Sequence, residues 1–488
     1  MTSQPILARR SSAVYQLRKF AARNRTLVGG MTATFVVLVL GIVVSTVLGL
    51  REAAERRAAE RARNDLQTVV DFQSQMLRGI DPAQMGRRLI EELKQRMADE
   101  ARASGLSEEK ITTEIDAFGS YLSRISPADL SLSVIDEDIL SQAVRSIERR
   151  FADQPLIEAQ LRYSLGETYR ELGLLERAEP HALRAKQIRE QQLGREHLDT
   201  LRSGYSLAYL YERQGRLHEA EQLIREVYEI SRELYGDEHD ITQQVLNRLA
   251  IVYDLQLRFD EAEQAYRRVY EALRRSLGED SRETIWALHN IGSLLRRRGR
   301  ADEGEPLLSR ALAGFRRTLG DGHRDTLWAM ESLAFAYQEL SRLDDAEHMA
   351  RESLEGRRTI LGEDHHETLS SMNLLAGTFR QQGRLEDALA LYGETLQRQE
   401  RTLGEQHFRA LETLRSFAET LENRGEYEEA RTEYERLLAR QRRVFGENHE
   451  RTLATIDALA AVHRRLGLER EAEEIMQSRR GAREPNRH

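Results

Sequence analysis

The chain has 488 residues, no Cys, only seven Pro and a formal net charge of −8. No disulfide can staple it, no thiolate can do chemistry in it, and it is too long for one compact core. Residues 1–26 carry six positive charges and no acid, so the remainder is more acidic than the whole, which argues against a general nucleic-acid surface.

The basic segment 1–26 leads into Leu27–Leu50, a run of 24 residues without a charge. At about 1.5 Å rise per residue it reaches roughly 36 Å, enough for a bilayer core of about 30 Å. A signal peptide has a shorter apolar region and a small-residue cleavage site. This run passes directly into Arg51-Glu52-Ala53-Ala54, so an uncleaved transmembrane helix at 27–50 is expected. The flanking positive charges place the N-terminus in the cytoplasm and the rest of the chain outside the cytoplasmic membrane. Gly41, Ser45 and Gly49 share one helix face, spacing that lets two spans approach as a homodimer.

Residues 51–155 read as a helical connector. An apolar stripe of Leu66, Val69, Val70, Phe72, Met76 and Leu77 ends at Asp81-Pro82. Further helices follow, with breaks near Gly105 and at Ser126-Pro127. One carries Ile111, Ile115, Phe118 and Leu122; another carries Ile139, Leu140, Val144, Ile147 and Phe151.

Residues 156–480 repeat with a period of 42, and a polar tail, 481–488, follows. Gly194, Gly236, Gly278, Gly320, Gly362, Gly404 and Gly446 each follow Leu or an aromatic. Three residues on stands His197, His239, His323, His365, His407 or His449, with Ser281 the exception. Six residues on stands Thr, except at Ala410. A second breaker is Gly173, Gly215, Gly299, Gly383, Gly425 or Gly467, replaced by Leu257 and Ser341 in two units. Each unit is therefore helix, tight turn, helix, loop. Small residues mark close helix crossings: Gly166, Ala208, Ala250, Gly292, Ala334, Ala376, Ala418 and Ala460 in the first helix, and Ala178, Ala220, Ala262, Gly304, Ala346, Ala388, Ala430 and Ala472 in the second.

These positions resemble the tetratricopeptide repeat family. The 42-residue unit is similar to its longer kinesin-light-chain-type form, whose linker reads Leu-Gly-x-x-His-Pro-x-Thr; here the Pro is missing in every unit. The resemblance implies an all-α fold, a right-handed α-solenoid of about eight helix pairs behind the span. A second resemblance joins the basic lead-in, the span, Asp81-Pro82 and Phe151-Ala152-Asp153-Gln154-Pro155. It is to the region that follows the catalytic domain in bacterial membrane-bound serine/threonine kinases with C-terminal repeats. The kinase domain itself is missing.

Catalytic motifs do not hold up. His323-Arg324-Asp325 spells the start of a kinase catalytic loop, but Met330 stands where that loop needs Asn. No Gly-Lys exists for a Walker loop. His365-His366-Glu367 lacks the second His of a helical zinc site, and the periodic His residues stand one unit apart. No catalytic residue, cofactor or metal is expected, and the His residues are assigned to the loop or helix start. Only Lys19, Lys94, Lys110 and Lys186 break an otherwise all-Arg set of basic residues, an excess assigned to genome base composition.

Binding is expected on the concave face lined by the first helices. One column there varies between units: Tyr163, Tyr205, Asn247, His289, Glu331, Asn373, Arg415 and Asp457. The resemblance implies that Asn247 and Asn373 bond a peptide backbone. His289 shares their column, and Arg296, Gln338 and Arg380 add donors for an acidic or C-terminal group. The expected function is a membrane-anchored, non-catalytic scaffold for protein or peptide partners. The alternative is the sensor half of a receptor-type kinase that lacks its catalytic domain.

Overall fold

The structure, a computed structural model, describes residues 82–122 and 127–483. The basic segment, the expected span with Gly41, Ser45 and Gly49, and the stripe at 66–77 lie outside the described residues. Among the described residues no helix is long and apolar enough to cross a membrane.

The connector folds as α1 (Pro82–Ala103), α2 (Glu108–Leu122), α3 (Pro127–Val134), a π-helical turn (Ile135–Leu140) and α4 (Ser141–Arg150). Its first break falls at Gly105, where the sequence places it, and a new helix starts at Pro127. Of the stripe expected over 139–151, Leu140 and Ile147 are buried with Val144 packed against the same core, and Ile139 departs from it. Ile135 and Leu140 are buried, whereas Ile139 is 46% exposed. The wider π turn changes the angular step between residues and rotates the apolar phase.

Eight helix pairs follow: α5 (Pro155–Glu171) and α6 (Leu175–Leu193); α7 (Leu198–Arg213) and α8 (Leu217–Tyr235); α9 (Asp240–Leu255) and α10 (Phe259–Leu277); α11 (Arg282–Arg297) and α12 (Ala301–Leu319). They continue as α13 (Arg324–Glu339) and α14 (Leu343–Leu361); α15 (His366–Gln381) and α16 (Leu385–Leu403); α17 (Phe408–Arg424) and α18 (Tyr427–Phe445); α19 (Glu450–Arg465) and α20 (Glu469–Arg483). Among the described residues, consecutive pairs stack as an all-α solenoid whose apolar residues are buried in clusters along its length.

Backbone geometry explains which glycines can vary. Those ending the second helices, Gly194 through Gly446, have φ between 82° and 92° and ψ between 154° and 173°. That region is open essentially to glycine alone, so no unit departs from it. The turn between paired helices needs only the left-handed α conformation. A side chain is tolerated there at some cost, and Leu257 (φ 61°) and Ser341 (φ 58°) adopt it.

The periodic His residues are helix N-caps. The Nδ1 atoms of His197, His239, His323, His365, His407 and His449 accept the backbone N–H two residues on, at 3.1–3.2 Å. In the exceptional unit Ser281 Oγ accepts from the Thr284 N–H at 3.1 Å. The periodic Thr then ties the new helix to the preceding loop: Thr326, Thr368 and Thr452 donate to the Gly320, Gly362 and Gly446 carbonyls.

The expected crossing residues are all buried. In the fourth pair both are glycine, and the backbones approach closely. A methyl on Gly304 would stand 2.6 Å from the Gly292 carbonyl oxygen.

The connector caps the first pair. Ile135, Leu140 and Ile147 join Leu165 and Tyr169 in one core. The Tyr169 hydroxyl donates to Asp136 at 2.9 Å, and Arg177 pairs with Asp136 at 3.1 Å. Such terminal covers keep a solenoid end from exposing apolar surface. α1 and α3 also touch α16.

The Arg excess has a structural use. The residue after the turn is Arg in five successive units. Arg216, Arg258, Arg300 and Arg384 each reach back to the previous unit's Glu179, Glu221, Glu263 or Glu347 at 2.7–3.0 Å, and Arg342 lies 3.7 Å from Glu305. Arg216, Arg258, Arg342 and Arg384 also lie over Tyr211, Tyr253, Tyr337 and Phe379, the aromatic that ends the same unit's first helix.

Candidate functional site

The first helices of neighbouring units are joined by bonds between residues 43 apart, one more than the period. Arg282 donates to Asp325 at 2.5 Å, Arg296 to Glu339 at 2.5 Å, and Asn290 to Asn247 at 3.3 Å. Arg324 pairs with Glu367 and Arg297 with Asp254 in the same way. These ladders fix the spacing of α9, α11, α13 and α15 and leave a groove along the face they build.

Two cavities occupy that face. The larger, about 980 Å³, is walled by α11, α13 and the first turn of α15, with Arg357 from α14 and Arg409 from α17. The smaller, about 490 Å³, lies over α9 and α11 and is lined by the carboxamides Gln243, Gln244, Asn247 and Asn290. They share Arg282, Trp286 and Asn290, so they adjoin.

The floor of the larger cavity is aromatic. The chain's two tryptophans, Trp286 and Trp328, both line it, one repeat apart. Trp286 is fixed: its Nε1 donates to Asp325 at 3.0 Å and its ring meets His289 and Phe315 edge-on. Trp328 (46% exposed) and Phe335 (42% exposed) are open to the cavity side. Large exposed rings beside ordered polar groups are the surface composition of a binding site.

The polar wall is deeply built. Arg357 is 1% exposed and donates through Nη1 to Glu331 at 2.7 Å, to the Glu367 carbonyl at 2.8 Å and to Ser371 at 3.2 Å. Its Nη2, and Ser293 Oγ across the cavity, have no hydrogen-bond partner among the described residues. Burial pushes the Glu331 carboxyl above its ordinary value, against the pull of Arg357. Burial acts the same way on Glu367, but the Arg324 guanidinium outweighs it and holds that carboxyl low. Burial pushes the His289 imidazole down to about 4, so it is neutral at pH 7 and bonds Ser332 across the unit boundary at 2.9 Å.

His289 and Arg296 line the larger cavity and Asn247 the smaller. Gln338, Asn373 and Arg380 line neither. Gln338 donates to Thr378 at 2.8 Å, Asn373 to Thr413 at 2.6 Å, and Arg380 to Glu419 at 2.7 Å, each joining its unit to the next. Sequence reasoning passed over Trp286, Trp328, Phe335, Arg357 and Arg409. The signal for the tryptophans was present: the only two in the chain stand 42 residues apart.

The tetratricopeptide repeat model matches at residues 157–223, 203–275, 283–359, 334–401, 367–431 and 409–484, about two thirds of the chain. No curated protein matches the sequence. Among solved structures, the apo form of the quorum sensor NprR from B. thuringiensis is 15% identical. The match covers 78% of this chain and 99% of that one, with a TM-score of 0.50. BtubC (BKLC) from P. vanneervenii is 23% identical over 46% of this chain and 91% of that one, TM-score 0.40. Repeats assigned to a Podosopora anserina kinesin light chain are 24% identical over 42% of this chain and 98% of that one, TM-score 0.38. The repeat-by-repeat match, on helix pairs whose turns, caps and crossings recur every 42 residues, establishes that the chain belongs to the tetratricopeptide repeat family.

Proposed function

We propose that this protein is a membrane-anchored, non-catalytic scaffold that binds an extended segment of a partner protein in the channel of α9, α11, α13 and α15. The observation that carries this reading is the larger cavity: an open aromatic floor of Trp328 and Phe335, walled by buried polar groups that still have idle donors. Side chains of a bound segment fill the aromatic cavity, and the carboxamides of the smaller one serve its backbone. The apolar run 27–50 anchors the chain with its N-terminus inside, which puts the array on the outer side. A fold relative, NprR, is a quorum sensor, which is compatible with a sensing role for the groove.

The test is a random peptide display screen against the full-length protein in detergent. Selected peptides should shift tryptophan emission, since both tryptophans line the cavity. Trp328→Ala with Phe335→Ala should weaken them about tenfold or more, as loss of central aromatic contacts does. Peptides that bind the double variant as tightly would place recognition elsewhere. A second reading, that the array is the sensor half of a receptor-type kinase, rests on the order of lead-in, apolar run and connector. Co-purification of a serine/threonine kinase with the tagged chain would favour it.

A further inference from the structure

We propose that Asp321-Gly322, in the turn between α12 and α13, is a site of spontaneous backbone modification, at which aspartate converts to isoaspartate. The loops that join one unit to the next run Gly, two residues, then the His or Ser N-cap. The second of the two is Glu196, Glu238, Asp280, Asp364, Gln406 or Asn448 in the other loops, and Gly322 here. This is also the only Asp-Gly in the chain. The inference stands apart from the binding reading above and needs only the chain and water.

An Asp isomerises when the backbone nitrogen of the next residue attacks its side-chain Cγ. An N–Cγ bond forms, the nitrogen gives up its proton, and the carboxyl loses its hydroxyl, so that one water leaves and a five-membered succinimide remains. Water then adds to the former main-chain carbonyl, the old peptide C–N bond breaks, and the nitrogen regains a proton. The chain now runs through Cβ and Cγ, the former main-chain carbonyl carbon is a free carboxylate, and the mass is unchanged. A side chain on the next residue crowds the attack, and glycine has none. Asp321 and Gly322 lie between the end of α12 at Leu319 and the start of α13 at Arg324, and both are exposed. A Cβ built on Gly322 would meet nothing within 4 Å, so the approach is open. The Asp321 carboxylate, 77% exposed, lies 2.9 Å from Arg316 Nε, and Arg316 also pairs with Glu352. An exposed, shared ion pair holds the side chain only weakly.

The product strains this turn. Isoaspartate puts one more atom in the main chain between Gly320 and His323. Two bonds span that stretch and close on the Gly320 carbonyl: Thr326 Oγ1 donates to it at 2.7 Å and the His323 N–H at 3.4 Å. The residues they tie down start α13. His323 Nδ1 accepts the Asp325 N–H, and the Asp325 carboxylate accepts from Trp286 Nε1 at 3.0 Å. Lengthening the turn therefore loosens the N-cap of α13 and the hold on Trp286. The chain carries its own comparison. Asp237 takes the same place in the loop between α8 and α9, follows Gly236 and pairs with Arg268 at 3.0 Å, but Glu238 comes after it.

Mass spectrometry of the full-length protein tests the site. The protein is held for several weeks at physiological temperature and neutral pH, with a fresh sample as baseline, and then cut with trypsin. The Thr318–Arg324 fragment should elute as two peaks of equal mass, the new one giving the fragment ions of isoaspartate at position 321. The Glu233–Arg248 fragment, which carries Asp237, should gain about tenfold less isomer at that residue, because Glu238 crowds the attack. Gly322→Glu copies the Asp237-Glu238 loop at an open position without a left-handed φ. It should fold as the parent does and form about tenfold less isomer at 321. Aged parent protein should also gain a lower-melting component in heating followed by tryptophan emission, and aged Gly322→Glu should not. An unsplit Thr318–Arg324 fragment, or equal accumulation at 237 and 321, overturns the site. Isomer at 321 with an unchanged melt overturns the loosening of α13.

Discussion

Gly304 in α12 sits so close to Gly292 in α11 that a methyl at position 304 would stand 2.6 Å from the Gly292 carbonyl oxygen. Backbone cannot yield as a side-chain tip can. Gly304→Ala should therefore cost about 1–3 kcal/mol of stability. Gly393→Ala supplies the opposite sign. Its added methyl meets only Phe417 at 3.7 Å, an ordinary contact, and the helix interior gains about 0.5–1 kcal/mol. Thermal melts of the two variants should move in opposite directions.

Leu257 and Ser341 hold a left-handed backbone without being glycine. Leu257 is 71% exposed, so little packing is lost with its side chain. Leu257→Gly and Ser341→Gly should each stabilise the protein by about 1 kcal/mol. Gly236→Ala should destabilise it, because φ 82° with ψ 171° has no room for a side chain. Urea midpoints would check all three.

Stability should fall on mild acidification. Burial pushes His289 and His181 down to about 4, with Arg162 adding to the effect at His181. An unfolded His titrates near 6.5. The unfolded chain therefore takes up protons first, and stability is lost as pH falls from about 6.5 to 4. For His289 the full loss is roughly 3 kcal/mol. His289→Gln should flatten the slope of unfolding free energy against pH in that window, and an unchanged slope would contradict the burial argument.

Arg258 ties two units together by bonding Glu221 and Glu261 while lying over Tyr253. It is half-exposed, so the coupling to Glu221 should be about 1 kcal/mol or less and should shrink in high salt. A double-mutant cycle of Arg258→Gln with Glu221→Gln, run at low and high salt, measures it. The last two units have Glu426 and Leu468 at the clamp position, and should exchange amide hydrogens sooner than units two to six.

The proposed anchor is tested in cells. Full-length protein should stay with membranes through alkaline carbonate washing, and deletion of residues 27–50 should release it. Added protease should reach the array from outside intact inner-membrane vesicles only if they are right-side-out. Gly41→Ile with Gly49→Ile should weaken self-association in an in-membrane reporter assay.

The repeat architecture was readable because its strictest requirements are local. A glycine-only conformation, an N-cap and a helix crossing each impose a residue type at a fixed place. The role of the periodic His residues at the helix start was readable for the same reason. The π turn at 135–140 was not, since nothing in its apolar spacing marks the change of phase. The clamps and the 43-residue ladders were hidden too. Each of their partners is an ordinary surface Arg, Glu or Asn until two units stack. Asn247 and His289 of the varying column, and Arg296 two turns beyond it, line the cavities. Gln338, Asn373 and Arg380 lie on the same column or a turn or two beyond, and there the neighbouring unit takes up their donors.

The outer clamp reaches back 37 residues in each unit that has it, and the inner ladders span about one period, 39 to 43 residues. Splicing out one whole period at equivalent glycines would therefore bring compatible edges together. Unequal recombination can lengthen or shorten such a gene in discrete steps without a new interface having to arise. Inheritance can then move the tryptophan-bearing stretch nearer to or farther from the N-terminal connector while leaving its own shape alone.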